Sequence, residues 1–520
     1  MNLKTCLCTI AVLATAGAGI RGVQGASYTW DGGGPDNQWS TAQNWSADVA
    51  PANDGTATIY FGGTTRPQVN VNVDQSIQQL LFNTGAGPFT LSENPIAITG
   101  YTPPASTPHA DRTNGLTQNC ASTVTINSPL VLANSQNFYV ASGKLVLNGT
   151  LNVNGKELRL VTVGSGVLEI NSELTGNVSG QLAFNGGGTS TVNVASTYKG
   201  KTTIFNSTVV LNTDVYATSG GFGDGLSDPT VNLGATVANL HPVLLISGAH
   251  TFARNVRLLA ADATTNANTF KIGGSSADTA TFSGSVIMGY DNGKARALTL
   301  TAAEGGRFVV TGNLKRATGA TGSEDNVTKV GKGTVVLAGS TNDYLGTTTV
   351  SEGSLLVNGT LTSGGGAVSI AGNATLGGTG TIHRAVTLLD NATLAPGDNG
   401  VGELTVDSLT LSSGSLINVD FSGSSSDTVV VDGNLVLDGV LNITAADTIT
   451  PGTYTLFTYT GTLTDNGLRF GTAPAGATYT IDASTPGQVN LAVVPEPATA
   501  AMMLGGTVAM TLLLRKRRKQ

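Results

Sequence analysis

The chain has 520 residues, of which 69 are Gly and only 11% are charged, with 40% apolar residues and a net charge of −7. So little net charge beside so much apolar material excludes an intrinsically disordered chain, and β-branched residues set between Gly and Asn, without long Glu/Lys/Leu stretches, exclude a helical one. Between positions 26 and 494, 19 Lys and Arg stand against 32 Asp and Glu, an acidic exterior that argues against nucleic acid as a partner.

Residues 1–25 read as a secretory signal. Lys4 supplies the positive start and Cys6–Thr15 the apolar run, which is too short to span a bilayer. Cleavage after Ala18 or after Gly25 fits the small residues there. With Cys6 and Cys8 inside the signal, Cys120 is the single cysteine of the body, so it forms neither an internal disulfide nor a metal cluster.

Residues 26–100 hold all three tryptophans, in Trp30-Asp-Gly-Gly-Gly, Trp39-Ser-Thr and Asn44-Trp45-Ser. Exposed indole faces would suit sugar stacking. The favoured reading is a cap, because the end unit of a stacked architecture must cover apolar side chains and open strand edges. Alternation predicts strands over Thr56–Phe61, Val69–Val73 and Ile77–Phe82. Residues 101–122 carry Tyr101-Thr-Pro-Pro-Ala-Ser-Thr-Pro-His109, whose prolines cannot sit inside a ladder, and are expected to loop out.

Over residues 123–407 one short phrase returns. Gly143-Lys-Leu-Val-Leu-Asn-Gly-Thr-Leu151 and Gly353-Ser-Leu-Leu-Val-Asn-Gly-Thr-Leu361 share a glycine, an aliphatic strand and an Asn-Gly corner; Gly433-Asn-Leu-Val-Leu-Asp-Gly-Val-Leu441 extends the series. Gly166–Leu174 is a looser copy, and Asn373-Ala-Thr-Leu376 repeats as Asn391-Ala-Thr-Leu394. A strand and a tight corner recurring at about 20 residues signals a stacked β-coil, in which each unit buries its apolar side on a neighbour. Asn and Thr at equivalent corners can stack as ladders. At that period the body would make on the order of 20 coils and reach about 100 Å. Residues 408–493 keep the rhythm with longer strands, as last coils plus a cap or as a small sandwich.

Residues 494–520 end the chain with Val494-Pro495-Glu496-Pro497, an uncharged stretch over Ala498–Leu514, and Arg515-Lys516-Arg517-Arg518-Lys519. At about 1.5 Å per residue the stretch just crosses a bilayer core as a helix, and the basic cluster sets it with the body outside. A plain single-pass anchor has these features. The Pro-Glu-Pro, helix and basic cluster in that order resemble the PEP-CTERM sorting signal of exported bacterial proteins. That resemblance implies recognition by an exosortase, a membrane protease cutting near Pro495–Pro497 after passage through the export translocon, with the body placed at the envelope surface or outside the cell. Such proteins often accompany exopolysaccharide.

Tyr198-Lys-Gly-Lys-Thr-Thr-Ile-Phe-Asn-Ser-Thr-Val-Val-Leu-Asn212 aligns without a gap on Tyr344–Asn358. With Gly331–Gly339, Leu394-Ala-Pro-Gly397 and Gly402–Val406, the stretch Lys329–Val406 resembles the passenger-associated autotransporter repeat, and Trp30-Asp-Gly with Asn44-Trp45-Ser resembles the opening segment of such proteins. The resemblance implies a right-handed parallel β-helix. The chain departs from that family in having nothing after Val493 to form an outer-membrane barrel.

The search for chemistry returns little. Gly200-Lys201-Thr202 lacks the first glycine of a phosphate loop and reads as a corner, and Gly220–Gly225 reads as a turn rather than a calcium repeat. His109, His241, His250 and His383 have no metal-ligand spacing. His383-Arg384 is expected at a solvated corner. No cofactor is expected. The reading is a non-enzymatic, all-β rod of the cell envelope or extracellular matrix associated with exopolysaccharide. A β-helical polysaccharide-acting enzyme and a membrane-tethered adhesin are the alternatives.

Overall fold

The computed structural model describes residues 25–496, apart from 101–113, 178, 217–221, 223–229, 236, 238, 260–267, 291–293 and 317–324. The expected signal segment before residue 25, residues 101–113 of the expected loop, Pro497, the expected helix over 498–514 and the basic residues 515–519 lie outside the described residues. The expected loop 101–122 is corrected at its end, where Asn114–Gln118 is a strand paired on both sides.

Successive strands pair in parallel with strands one coil away, in a ladder running the length of the chain. The result is a parallel β-helix of about 15 turns with three faces. Parallel strands must be joined by a connection that returns to the starting edge. Here the other two faces of the same coil make that return, so no crossover helix is needed.

The core follows from alternation. On the first face Ile59, Leu80, Leu116, Phe138, Leu160, Phe184, Ile204, Leu233 and Leu258 lie one above another, all fully buried. On the second face Leu91, Ile126, Leu147, Ile170, Val192, Leu211 and Ile246 do the same. Rings stack inside as well, with Phe252 over Phe282 at 5.1 Å between centroids. In-register stacking of like residues lets one apolar column run the length of the coil.

Corners are held by amides. Asn148, Asn171 and Asn193 each donate a side-chain hydrogen bond to the asparagine one coil back, at 2.8, 3.0 and 2.6 Å, down to Asn127. Asn148 is the asparagine of the recurring phrase. The glycine that opens the phrase is required at two of its copies: Gly143 and Gly353 have φ of +65° and +66°, and a Cβ on either would meet carbonyl oxygens of the coil behind at 2.5 Å. The Asn-Ala-Thr-Leu repeat stacks in register, Thr375 on Thr393 and Leu376 on Leu394, with both asparagines left-handed.

Two details differ from the sequence-based picture. The coil length is not constant: corner hydrogen bonds join residues 21, 22 and 23 apart in the asparagine ladder, 28 apart between Gly248 and Ser276, and 18 apart between Asn342 and Thr360. Loops inserted at corners lengthen coils without disturbing the strands, so there are fewer turns than the 20 expected. The recurring phrase also does not mark one column. Its copies at Lys144–Leu147 and Leu435–Leu437 pair within the second face, whereas Gly353–Val357 lies on the third. The phrase encodes a strand and its corner, whichever face the strand occupies.

Both ends are closed. At the N-terminal end Trp30, Trp39 and Trp45 pack edge to face at 4.9–5.2 Å and sit on Phe61. All three rings are at most 1% exposed, so none offers a face to a ligand. Coils continue through Arg469–Phe470, and the chain then turns into antiparallel strands.

Candidate sorting site and a groove on the third face

The strand Gln488–Pro495 is the middle of that antiparallel closure. It pairs with Gly452–Tyr459 on one side, where Gly452 faces Val493, and with Ala477–Asp482 on the other, where Thr478 faces Val494 and Ala477 faces Pro495. A tight turn makes the reversal: Ser484 N–H bonds the Asp482 carboxylate at 2.9 Å, Gln488 N–H bonds the Thr485 carbonyl at 3.1 Å, and Gly487 has φ +81°.

The sorting residues therefore leave the fold as the end of a strand. Val494 is 57% exposed and Glu496 is exposed. Glu496 N–H reaches the Gly476 carbonyl at 3.3 Å. From Val494 onward the pairing is one-sided, because Gly452–Tyr459 stops opposite Val493. Pro495, which has no amide hydrogen, occupies the last position of the ladder, where its loss costs least. Thus Val494, Pro495 and Glu496 are brought together in one extended segment with one open edge. Pro497 and Arg515–Lys519 lie beyond the described residues, among which no helix is long and apolar enough to cross a membrane.

A second feature had no counterpart in the sequence reading. After Pro396 the chain reverses: Gly378 and Gly397 exchange two backbone hydrogen bonds of 2.9 Å. The loop 397–401 then lies back over the third face. Asp398 accepts from Arg307 Nη2 at 2.5 Å, 91 residues away, and from Asn358 Nδ2 at 2.7 Å. Burial pushes the Asp398 carboxyl up, but the bonds from Arg307 and Asn358 and the guanidinium charge outweigh it and hold the group below its ordinary value. A groove of about 1020 Å³ runs beside this clasp, from Arg307 past Ser354 and Ala395 to Asp420 and Thr444. Behind it, buried Asp427 accepts from the backbone N–H of Gly402 at 2.7 Å and of Asp420 at 2.8 Å. Burial raises its carboxyl to about 6; the two backbone donors oppose the rise and the Asp420 charge adds to it. In the sequence Leu394-Ala-Pro-Gly397 stood only as part of the repeat resemblance. Nothing in the sequence pairs Asp398 with a residue 91 positions earlier.

Other candidates resolve as structure. Arg384 is 2% exposed and not at a solvated corner. Its guanidinium donates to the carbonyls of Tyr344, Gly346 and Thr362 at 2.7, 3.1 and 3.3 Å and lies 4.2 Å from the Tyr344 ring. Three carbonyls turned inward at a corner need a forked donor, and Arg supplies it. His383 is exposed beside Asp407 at 3.2 Å. Lys329 donates to the carbonyls of Gly331 and Glu352, and burial lowers its ammonium to about 8 against the pull of Glu352. Burial raises the Cys120 thiol, so it is no activated nucleophile. Lys201 and Thr202 lie in a first-face strand, so of Gly200-Lys-Thr only Gly200 stands at a corner. Among the described residues no cluster has the makings of a metal site.

Two likenesses to known proteins are found in the sequence. Residues 493–518 match the PEP-CTERM protein-sorting motif, which implies export and processing through an exosortase-type membrane protease. A stretch of 115 residues, 20% of the chain, is 46% identical to the adhesin BmaC autotransporter of Brucella suis biovar 1 (strain 1330). The match spans 3% of that adhesin's length. The chain thus carries a PEP-CTERM sorting motif, on a parallel β-helical body that is similar over part of its length to an autotransporter adhesin.

Proposed function

We propose that this protein is a non-enzymatic, β-helical rod, exported, cut at its sorting motif and held at the cell surface in association with extracellular polysaccharide. The observation that carries this reading is the continuity between fold and signal. The coil is closed by a strand whose last residues are the first residues of the motif. A body built this way needs nothing beyond Glu496 to keep its core covered, so removal of the tail leaves it whole. The hydroxyl-rich outer faces favour hydrated glycan. On the second face Thr299, Thr328, Thr349, Ser369, Thr387 and Thr410 follow one another, one per coil.

The partial likeness to an adhesin favours a second reading, a surface protein that keeps its helix and stays tethered. Mass spectrometry of the C-terminal peptide from surface-extracted protein separates the two. Processing is expected to give a mature end within Val494–Pro497. Recovery of Arg515–Lys519 in the surface form would instead establish the tethered adhesin.

A further inference from the structure

The groove on the third face takes lining residues from Arg307–Val310, Thr334–Leu337, Gly353–Val357, Thr393–Pro396, Leu416–Ser422 and Val440–Ala445, with the strand Ala374–Gly378 lying between the third and the fourth of these. Six steps of about 4.8 Å give it an extent of roughly 29 Å along the axis of the coil. A ligand that fills it must be long and narrow. Outward Thr334 and Ser354 occupy one register position on successive strands at one end of the groove, and Ser422 and Thr444 line the other end. Leu356, Ala395 and Pro396 provide an apolar strip beside them.

Charge and pairing narrow the choice. Arg307 is the cation of the groove, and Asp398 already holds it. Asp420 adds a carboxylate to the lining. A polyanion would meet two carboxylates and one neutralised guanidinium, an unfavourable field. The strands that form the floor pair with the coil on either side, so an extended polypeptide has no open edge to join by strand addition. We propose that this groove binds a neutral, linear polysaccharide lying along the rod, its hydroxyls paired with the Thr and Ser hydroxyls of successive coils and its C–H faces on the Leu356–Pro396 strip. Asp398, through Arg307 and Asn358, is the positioning residue that holds the 397–401 loop as one wall. This rests on the reading of the protein as a polysaccharide-associated rod and names the surface responsible.

The test is affinity gel electrophoresis of the full-length protein in gels containing barley β-glucan, konjac glucomannan, alginate or β-casein. Ser354→Trp and Thr444→Trp fill the groove at two places from outward positions, and superimposed melting curves confirm that each variant folds. The expected result is retardation by at least one neutral glycan, weakened tenfold or more by both substitutions, with none by alginate. The proposal is overturned if neither neutral glycan retards the protein, if both fillers leave retardation unchanged, if alginate is preferred, or if β-casein is retained through the groove. Cell fractionation keeps the two readings apart. A filled-groove variant that still co-purifies with the cell's own polysaccharide sinks the groove and leaves the function standing. Wild-type protein that never co-purifies with it sinks the function itself.

Discussion

Arg384 shows why a residue in a coil is judged by the direction of its carbonyl neighbours rather than by its charge. A basic residue in a neutral stretch suggests solvent, yet this guanidinium is inside, where it donates to three carbonyls, of which Gly346 also accepts the Gly366 N–H at 3.2 Å. An unpaired buried carbonyl costs about 1–3 kcal/mol, so Arg384→Met, which leaves those of Tyr344 and Thr362 without a partner, should lower stability by about 2 kcal/mol or more. Arg384→Lys should recover less than half of that, since an ammonium cannot present the same fork. Urea unfolding followed by far-UV circular dichroism measures both. Equal stability of the Lys and Arg proteins would show that charge alone is needed there. The repeat itself hinted at this arrangement. Tyr344 and its counterpart Tyr198 are both fully buried, and buried Arg254 bears electrostatically on Tyr198 as Arg384 does on Tyr344. The tyrosines were legible because they recur; their arginines were not, because they arrive from later coils at unequal distances.

At the scale of elements, strands and corners were legible and faces were not. Alternating Val, Leu and Ile locate a strand, and Asn-Gly a corner, by local chemistry alone. Which face a strand joins depends on how many residues the preceding corners absorb, and neither Lys144–Leu147 nor Gly353–Val357 carries that information. The sorting residues were legible as a motif, while their place at the end of a paired strand was not, because Ala477–Asp482 shares no pattern with them beyond β-propensity. That pairing has a consequence for processing. A protease binds its substrate extended and unpaired, so with the cut placed within Val494–Pro497 as proposed, the rungs Thr478–Val494 and Ala477–Pro495 would hold that segment back. Thr478→Pro should fray those rungs and shorten the lifetime of the precursor several-fold, measured by pulse-chase labelling of the uncut form. An unchanged lifetime would mean that the enzyme engages the motif beyond Glu496, independent of the strand.

For the whole molecule, the same in-register stacking that builds one core makes the coils interchangeable. In a solenoid each repeat contacts only its neighbours, so stability is close to a sum of repeat and interface terms. The asparagine ladder gives the phase: Asn171 stands 23 residues from Asn148 and 22 from Asn193. Deleting residues 150–172 joins Gly149 to Glu173 and removes one full coil. Phe138 then meets Phe184 where Leu160 lay between them, Leu147 meets Val192 in place of Ile170, and Asn148 takes Asn193 as its ladder partner. The Lys144–Glu169 and Arg159–Glu157 ion pairs go with the coil, and as partly exposed pairs they are worth little. Deleting Leu160 alone is a smaller change in mass and a larger one in structure. A one-residue slip turns the rest of that strand inside out, placing Arg159 or Val161 against the wrong surface. The 23-residue deletion should therefore be recovered as soluble protein with an unchanged far-UV spectrum and a modestly lower midpoint of denaturation, whereas the single-residue deletion should lose native protein or be far less stable. If the longer deletion proved the more damaging of the two, the coils would not be equivalent units, and cooperation across the whole length would have to hold the rod together.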